Sequence, residues 1–244
     1  MKQQDLPSFQ MYPLGDAAIV LQFGDTIDLE THTKVRSFAA FLQQHPFPGL
    51  IEQVPAFTTV TVYYNPWLLS EKGRLDPYEK VRLLLLEILH HLKKQTQSFT
   101  SREITVPVCY GGDFGPDLAF VAEHNQLSPE EVIAIHTGGT YQVYMIGFAP
   151  GFPYLGGMDE RIAAPRKDTP RAAIPIGSVG IAGKQTGIYP IETPGGWQLI
   201  GRTPLSLFNP ASEHPSLLQA GDTVKFVAIT PEEYEQRKER QHEH

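Results

Sequence analysis

At 244 residues, 41% of them hydrophobic and with a formal net charge of −7, the chain is long enough for two cores and carries the wrong sign of charge for a nonspecific grip on nucleic acid or an anionic membrane. A single cysteine, Cys109, excludes an internal disulfide and a multi-cysteine metal site, and no residue is assigned to a metal, whose use the sequence leaves open. The start, MKQQDLPSFQ, lacks the apolar core of a signal peptide, and the richest apolar run, Leu83 to Leu89, is broken by Glu87, far short of the roughly 20 apolar residues of a membrane span; a cytoplasmic protein is expected.

Ala17 to Phe23 is apolar and β-branched and stops at Gly24-Asp25, the pattern of a buried strand. A helix is predicted next, with Asp28 as N-cap, Val35, Phe38, Phe41 and Leu42 at helical spacing, and His45-Pro46-Phe47-Pro48-Gly49 as its stop. Leu50 to Pro55 and Thr58 to Tyr64 read as a hairpin closed by Asn65-Pro66. A second helix begins at Pro77, with Val81, Leu84, Leu85, Ile88 and Leu92 on one face and Lys93-Lys94 near its C-terminal dipole. With Arg102 to Cys109 as a last strand, the order βαββαβ matches a ferredoxin-like α+β unit, assigned to residues 1–103.

Beyond that boundary the composition changes: 13 of the 21 glycines lie between Gly138 and Gly201, with seven prolines, which disfavours long helices there. One helix start is clear, the capping box Ser128-Pro129-Glu130-Glu131, and Gly138-Gly139 ends it. Tyr141 to Phe148, Ser178 to Ala182, Gly187 to Ile191, Trp197 to Gly201 and Thr223 to Ala228 read as short strands, and a small closed barrel over residues 104–244 accommodates them. Pro231 to His244 reads as a short terminal helix, with His242 and His244 solvated rather than metal-binding.

The chain has no G-x-x-x-x-G-K-[ST], no G-x-G-x-x-G opening a helix, no HExxH, no CxxC and no G-x-S-x-G, so neither a nucleotide-phosphate cradle nor a self-contained hydrolase is indicated. What remains is a set of polar residues in glycine-rich turns. His136 either caps its helix or serves substrate or catalysis. Lys184, in Gly183-Lys184-Gln185-Thr186-Gly187, suits a carboxylate or acyl phosphate, whereas Lys184 and Glu192 as an ordinary surface pair is the plainer alternative. Arg202 fits a bidentate carboxylate clamp or a structural salt bridge equally. Asp113 and Asp159 lie in turns, where aspartate bonds its own backbone, and neither is assigned to a site. In Ile146 to Met158, IGFAPGFPYLGGM, glycines and prolines hold Phe148, Phe152 and Tyr154 on a rigid loop; with Trp197 these rings are either core or a partner-binding surface.

Three stretches, LGDAAIVLQF near the start, IHTGGTYQVYMIGFAPGFPYLGGMD (Ile135 to Asp159) and PRKDTPRAAIPIGSVGIAGKQTGIYPIETPGGWQLIGRTP (Pro165 to Pro204), together resemble the family of bacterial 5-oxoprolinase B subunits, which includes the sporulation kinase A inhibitor of bacilli and is similar to subunit 1 of allophanate hydrolases. The resemblance runs from about Tyr12 to Thr230. It implies a ferredoxin-like domain followed by a cyclophilin-like barrel, and partnership with separate A and C subunits, the latter homologous to this chain, that together open 5-oxoproline to glutamate with ATP. In that setting Lys184, Gln185, Thr186 and Arg202 are expected to hold substrate oxygens, and His136 or Glu192 to move a proton. A second reading implied by the resemblance is inhibition of a sensor histidine kinase through the aromatic groove, with Phe148, Phe152, Tyr154 and Trp197 as contacts. Peptidyl-prolyl isomerisation carries least, because fold does not fix function and no cyclophilin-like catalytic arginine motif is present.

Overall fold

The computed structural model describes residues 9–92 and 102–242, and the chain divides into two compact units, Met1–Thr100 and Ser101–His244. The first unit contains strands β1 (Gln10–Pro13) and β2 (Ala18–Gln22), helix α1 (Leu29–Gln44), strands β3 (Leu50–Pro55) and β4 (Thr59–Tyr64), a single helical turn α2 (Pro66–Leu69) and helix α3 (Pro77–Leu92). The strands form one antiparallel sheet in the order β1-β2-β4-β3.

Local chemistry sets the ends of these elements. The Asp28 carboxylate accepts the Thr31 N–H at 2.7 Å and starts α1, and Asn65 does the same for α2 through the Leu68 N–H at 3.0 Å. Ile19 and Leu21 of β2 alternate inward with Val60, Val62 and Tyr64 of β4, against Val35, Phe38 and Leu42 of α1 and Val81, Leu85 and Leu89 of α3. Each of these side chains contributes roughly 1.5–3 kcal/mol by leaving water, which is what fixes two helices on one sheet. Lys93 and Lys94, expected to favour the end of α3, lie outside the described residues.

The predicted βαββαβ order needs correction at both ends. An additional strand, β1, pairs with β2, and the strand predicted as the last of the unit, β5 (Glu103–Tyr110), belongs to the barrel of the second unit. The reason is a long-range partner: β5 runs parallel to β13 (Thr223–Ala228), from Glu103↔Thr223 to Val108↔Ala228, and buries Val106 and Val108 in the barrel core. Arg102 fastens the same junction by two hydrogen bonds to the Asp222 carboxylate, 2.9 Å from Nε and 2.5 Å from Nη2.

The remaining elements of the second unit are helices α4 (Leu118–His124) and α5 (Pro129–Gly138), strands β6 (Tyr141–Ile146), β7 (Pro153–Gly156), β8 (Arg171–Ile174), β9 (Ser178–Ala182), β10 (Gln185–Ile188), β11 (Thr193–Gly195) and β12 (Gln198–Arg202), and helix α6 (Pro231–His242). Seven strands close a barrel in the order β10-β7-β6-β13-β5-β12-β9, while β8 and β11 pair as a separate two-stranded flap. The barrel interior is filled by Val143, Leu155, Val179, Ile181, Ile188, Ile200, Val224 and Phe226, so it is a packed core and not a channel. Helix α5 starts at the expected capping box, with Ser128 and Glu131 exchanging side-chain bonds to each other's N–H groups.

A candidate ligand face on the barrel

Strands β9 and β10 place two glycines opposite each other, Gly180 and Gly187, on the outer side of the barrel. Their neighbours Val179, Ile181 and Ile188 point inward, so the outer surface between them is bare backbone. Two rings lie directly on it: a Cβ at Gly187 would come within 3.0 Å of both Phe152 Cζ and Trp197 Cζ3, and one at Gly180 within 3.1 Å of Trp197 Cβ. Phe152, Trp197 and Tyr189 meet edge to face, with the Phe152 centroid 5.6 Å from that of Trp197 and 5.4 Å from that of Tyr189. Ile174 of the flap and Leu199 complete this small outer core. Burial pushes the Tyr189 phenol up to about 12.

The four aromatic residues predicted as a partner surface therefore separate into two layers. Phe152 and Trp197 are buried, 2% and 6% exposed, Tyr154 is half-buried, and Phe148 stands 64% exposed above them, its ring 5.3 Å from that of Phe152. The backbone under Phe148 is unusual: φ is +68°, and the Ala149 N–H donates to Gly147 O at 2.8 Å, closing a three-residue turn around the phenylalanine. A bulky residue in the left-handed region costs on the order of 1–2 kcal/mol. The next turn holds it there, with Pro150 and Gly151 (φ +81°) between Ala149 O and the Phe152 N–H at 3.0 Å, and Gly147 N–H bonded to Phe152 O at 3.0 Å.

Beside this face runs a basic strap, Arg166–Arg171, leading into the flap. It is tied to Asp117 at the start of α4, whose side chain is only 8% exposed. Asp117 Oδ1 accepts from Arg171 Nη2 at 2.8 Å and Lys167 Nζ at 3.3 Å, and Oδ2 accepts the Leu199 N–H at 2.7 Å. Although burial alone would raise it, the Asp117 carboxyl is held below the usual carboxylate range by the Arg171 hydrogen bond, the Leu199 N–H and the two cations. Lys167 N–H to Gly196 O, at 2.7 Å, and Gln198 Nε2 to Pro165 O, at 2.9 Å, fasten the strap to the chain around Trp197. Sequence reasoning does not single out Asp117; the only pointer to it is the concentration of Arg166, Lys167 and Arg171 between prolines, three cations that call for an anion elsewhere in the chain.

The other predicted site residues are dispersed. His136 is fully buried at the end of α5, its Nδ1 2.8 Å from the Tyr110 hydroxyl and its Nε2 3.0 Å from Thr186 Oγ1. Because the Thr186 hydroxyl donates to Gly180 O at 3.0 Å, it accepts from Nε2–H, and Nδ1 accepts from Tyr110. The ring is neutral, and burial lowers its pKa to about 3, so it does not cap α5 as a cation. Thr186 shares this interior, and its hydroxyl is committed. Lys184, at the tip of the β9–β10 hairpin, is 68% exposed and pairs at 2.8 Å with Glu160, itself 69% exposed; it does not pair with Glu192. Gln185 is half-buried, and Glu192 is exposed just before β11. Arg202 hydrogen-bonds Tyr234 of α6 and pairs with Ser178, at the opposite end of β9 from Gln185's partner Ala182. At ~3.3 Å per residue the two ends of β9 lie ~13 Å apart, so Arg202 and Lys184 do not form one clamp.

No group of three or more histidine, cysteine, aspartate or glutamate side chains able to hold a metal occurs among the described residues, and none of their helices is long and apolar enough to cross a membrane.

A family model described as "Carboxyltransferase domain, subdomain C and D" matches residues 9–218. The chain is 53% identical to the 5-oxoprolinase B subunit of Bacillus subtilis (strain 168), over 95% of this chain and 97% of that protein. It is 42% identical to the 5-oxoprolinase B subunit of Escherichia coli O157:H7, over 88% of this chain and 94% of that protein. Among solved structures, TTHA0988 superposes with a TM-score of 0.72 at 37% identity, over 87% of this chain but 40% of that one, so the present chain spans less than half of TTHA0988. The chain belongs to the carboxyltransferase-domain family of subdomains C and D, and its relatives there include proteins named as 5-oxoprolinase B subunits.

Proposed function

We propose that the chain is the B subunit of an ATP-dependent 5-oxoprolinase, completing a site with partner A and C subunits and inactive without them. The observation that carries this reading is the end-to-end match, 53% identity over 95% of the chain, to a protein named as a 5-oxoprolinase B subunit. The geometry accords with a shared site: one aromatic cluster carries an exposed Phe148 held at positive φ and, around Trp197, the tethers of a cationic strap. Strain of that kind persists where surrounding structure fixes it for a purpose such as docking.

The reaction is ring opening, in which 5-oxoproline, ATP and two waters give glutamate, ADP and phosphate. No nucleotide-phosphate motif occurs in the chain. The starts of α1 and α5 are closed by their own caps, Asp28 and Ser128, and no glycine-rich turn opens either helix, so nucleotide binding is assigned to the partners. This chain's part is to hold and orient an anion. His136 is enclosed and fully engaged, whereas Glu192 is exposed, and the proton-moving role falls to Glu192. The test is reconstitution: this chain with the A and C subunits, ATP and 5-oxoproline, read as glutamate formed.

A further inference from the structure

We propose that Arg171 and Arg166 form the carboxylate clamp for 5-oxoproline, with Asp117 as the positioning residue that holds Arg171 in place. This rests on the 5-oxoprolinase reading above, and names the site on this chain that takes the substrate's anionic end.

Four observations converge on the strap. First, two cations, Arg171 and Lys167, share the single oxygen Oδ1 of Asp117, and Arg166 makes no hydrogen bond or ion pair among the described residues. Setting Arg166, Lys167 and Arg171 against Asp117 and the exposed Asp168 leaves one positive charge over, in a chain of net charge −7. Second, Arg171 has five N–H donors and gives one to Asp117 and, at 3.5 Å, a weak one to Trp197 O, so donors remain for a ligand. Third, the guanidinium is pre-set: its partner is almost fully buried, the Leu199 N–H fixes that partner's other oxygen, and the β8–β11 pairing of Arg171 with Gly195 fixes the backbone. Fourth, the tethers on either side of Arg166, Gln198 Nε2 to Pro165 O at 2.9 Å and Lys167 N–H to Gly196 O at 2.7 Å, hold it beside the β8–β11 pairing of Arg171 with Gly195.

The two cations that the sequence reading proposed for the substrate lack this preparation, and Arg102 spends its fork on Asp222. Lys184 is a solvated surface partner of Glu160, and Arg202 is engaged with Tyr234. A paired, half-buried arginine is the group that recognises a carboxylate with geometric specificity, and lysine does not reproduce its fork.

The experiment is steady-state kinetics of the reconstituted assembly with 5-oxoproline varied, for wild type, Arg171→Gln, Arg171→Lys and Arg166→Gln, with assembly followed by size-exclusion chromatography and folding by thermal denaturation. Arg171→Gln is expected to raise KM for 5-oxoproline at least about tenfold with kcat within about twofold and assembly intact, since a charge-assisted hydrogen bond is lost from binding. Arg171→Lys should fall between. Arg166→Gln, whose exposed side chain carries no structural contact, should fold as wild type and raise KM by about threefold or more, so a folding defect in the first variant does not shelter the proposal. A KM within about twofold of wild type for Arg166→Gln and for folded Arg171→Gln overturns it. So does loss of assembly with the remaining complex kinetically normal, which would make the strap a docking site for an acidic partner segment. A wild-type assembly that forms no glutamate overturns the 5-oxoprolinase reading and this clamp with it.

Discussion

Thr186 Oγ1 lies 3.0 Å from Nε2 of His136 and 3.0 Å from the carbonyl of Gly180, and that one hydroxyl sets the proton order of the barrel interior. Tyr110 O–H, the imidazole, Thr186 O–H and the Gly180 carbonyl form a single directed chain. Thr186→Val keeps the shape but leaves the imidazole N–H without its acceptor inside the barrel, and should lower stability by about 1–3 kcal/mol in denaturant titrations. Thr186→Ser, which keeps the hydroxyl, should cost clearly less.

The same histidine gives the second unit a pH dependence. In the unfolded chain His136 titrates near the ordinary 6.5, whereas burial lowers its folded pKa to about 3. Between those values the unfolded state binds the extra proton, so stability falls as pH drops from about 6.5 toward 3, with a slope from this residue approaching about 1.4 kcal/mol per pH unit. Unfolding free energies measured at about pH 7, 6 and 5 should show this loss, and His136→Gln, though less stable at neutral pH, should have a flatter profile over that interval.

Phe148→Gly and Phe148→Ala separate strain from contact. Both remove the exposed ring, but only glycine accepts φ +68° without a steric cost, so the alanine variant should be the less stable by about 1 kcal/mol. Binding to the partner subunits, followed by titration calorimetry, should weaken at least about tenfold in both, because a rigid exposed aromatic is the group expected to anchor the contact. Equal stabilities for the two variants would remove the strain argument.

How much of this is legible in the sequence depends on how local each signal is. Strand β2, the β3–β4 hairpin and helices α1, α3 and α5 follow from apolar spacing and from caps such as Asp28 and Ser128, which act within four residues of themselves. The allegiance of β5 is not local: its parallel partner β13 lies about 120 residues away, so the same apolar run reads equally well as an edge of the first sheet. The flap gives little signal because β8 and β11 are four and three residues long, the first lying between Pro170 and Pro175 and the second containing Pro194. At His136 the place at a helix end suggests a cation, while the ring turns inward to Tyr110 and Thr186. The aromatic loop is readable as rigid, but not which rings it buries, since that follows from the Gly180–Gly187 pair on strands that come later.

Asp117→Asn tests the anchor of the strap. The change removes the charge that Arg171 and Lys167 share while preserving size, and because both cations are a quarter to a third exposed, the cost is discounted to about 1.5–3 kcal/mol. The wild-type carboxyl is held below its unfolded value, so its contribution is present above about pH 4 and is lost as pH falls through the folded pKa. The stability difference between wild type and variant, measured by thermal unfolding, should therefore be constant from about pH 7 to 5, where the His136 loss is already under way, and shrink below about pH 4.

Omitting one purified subunit at a time tests most directly whether this barrel takes part in the reaction. Glutamate should form from 5-oxoproline and ATP when this chain is combined with the A and C subunits, and should fall to background when this chain alone is left out. Formation of glutamate at the same rate without it, or none from the complete, folded mixture, would contradict the assignment of this barrel to the reaction.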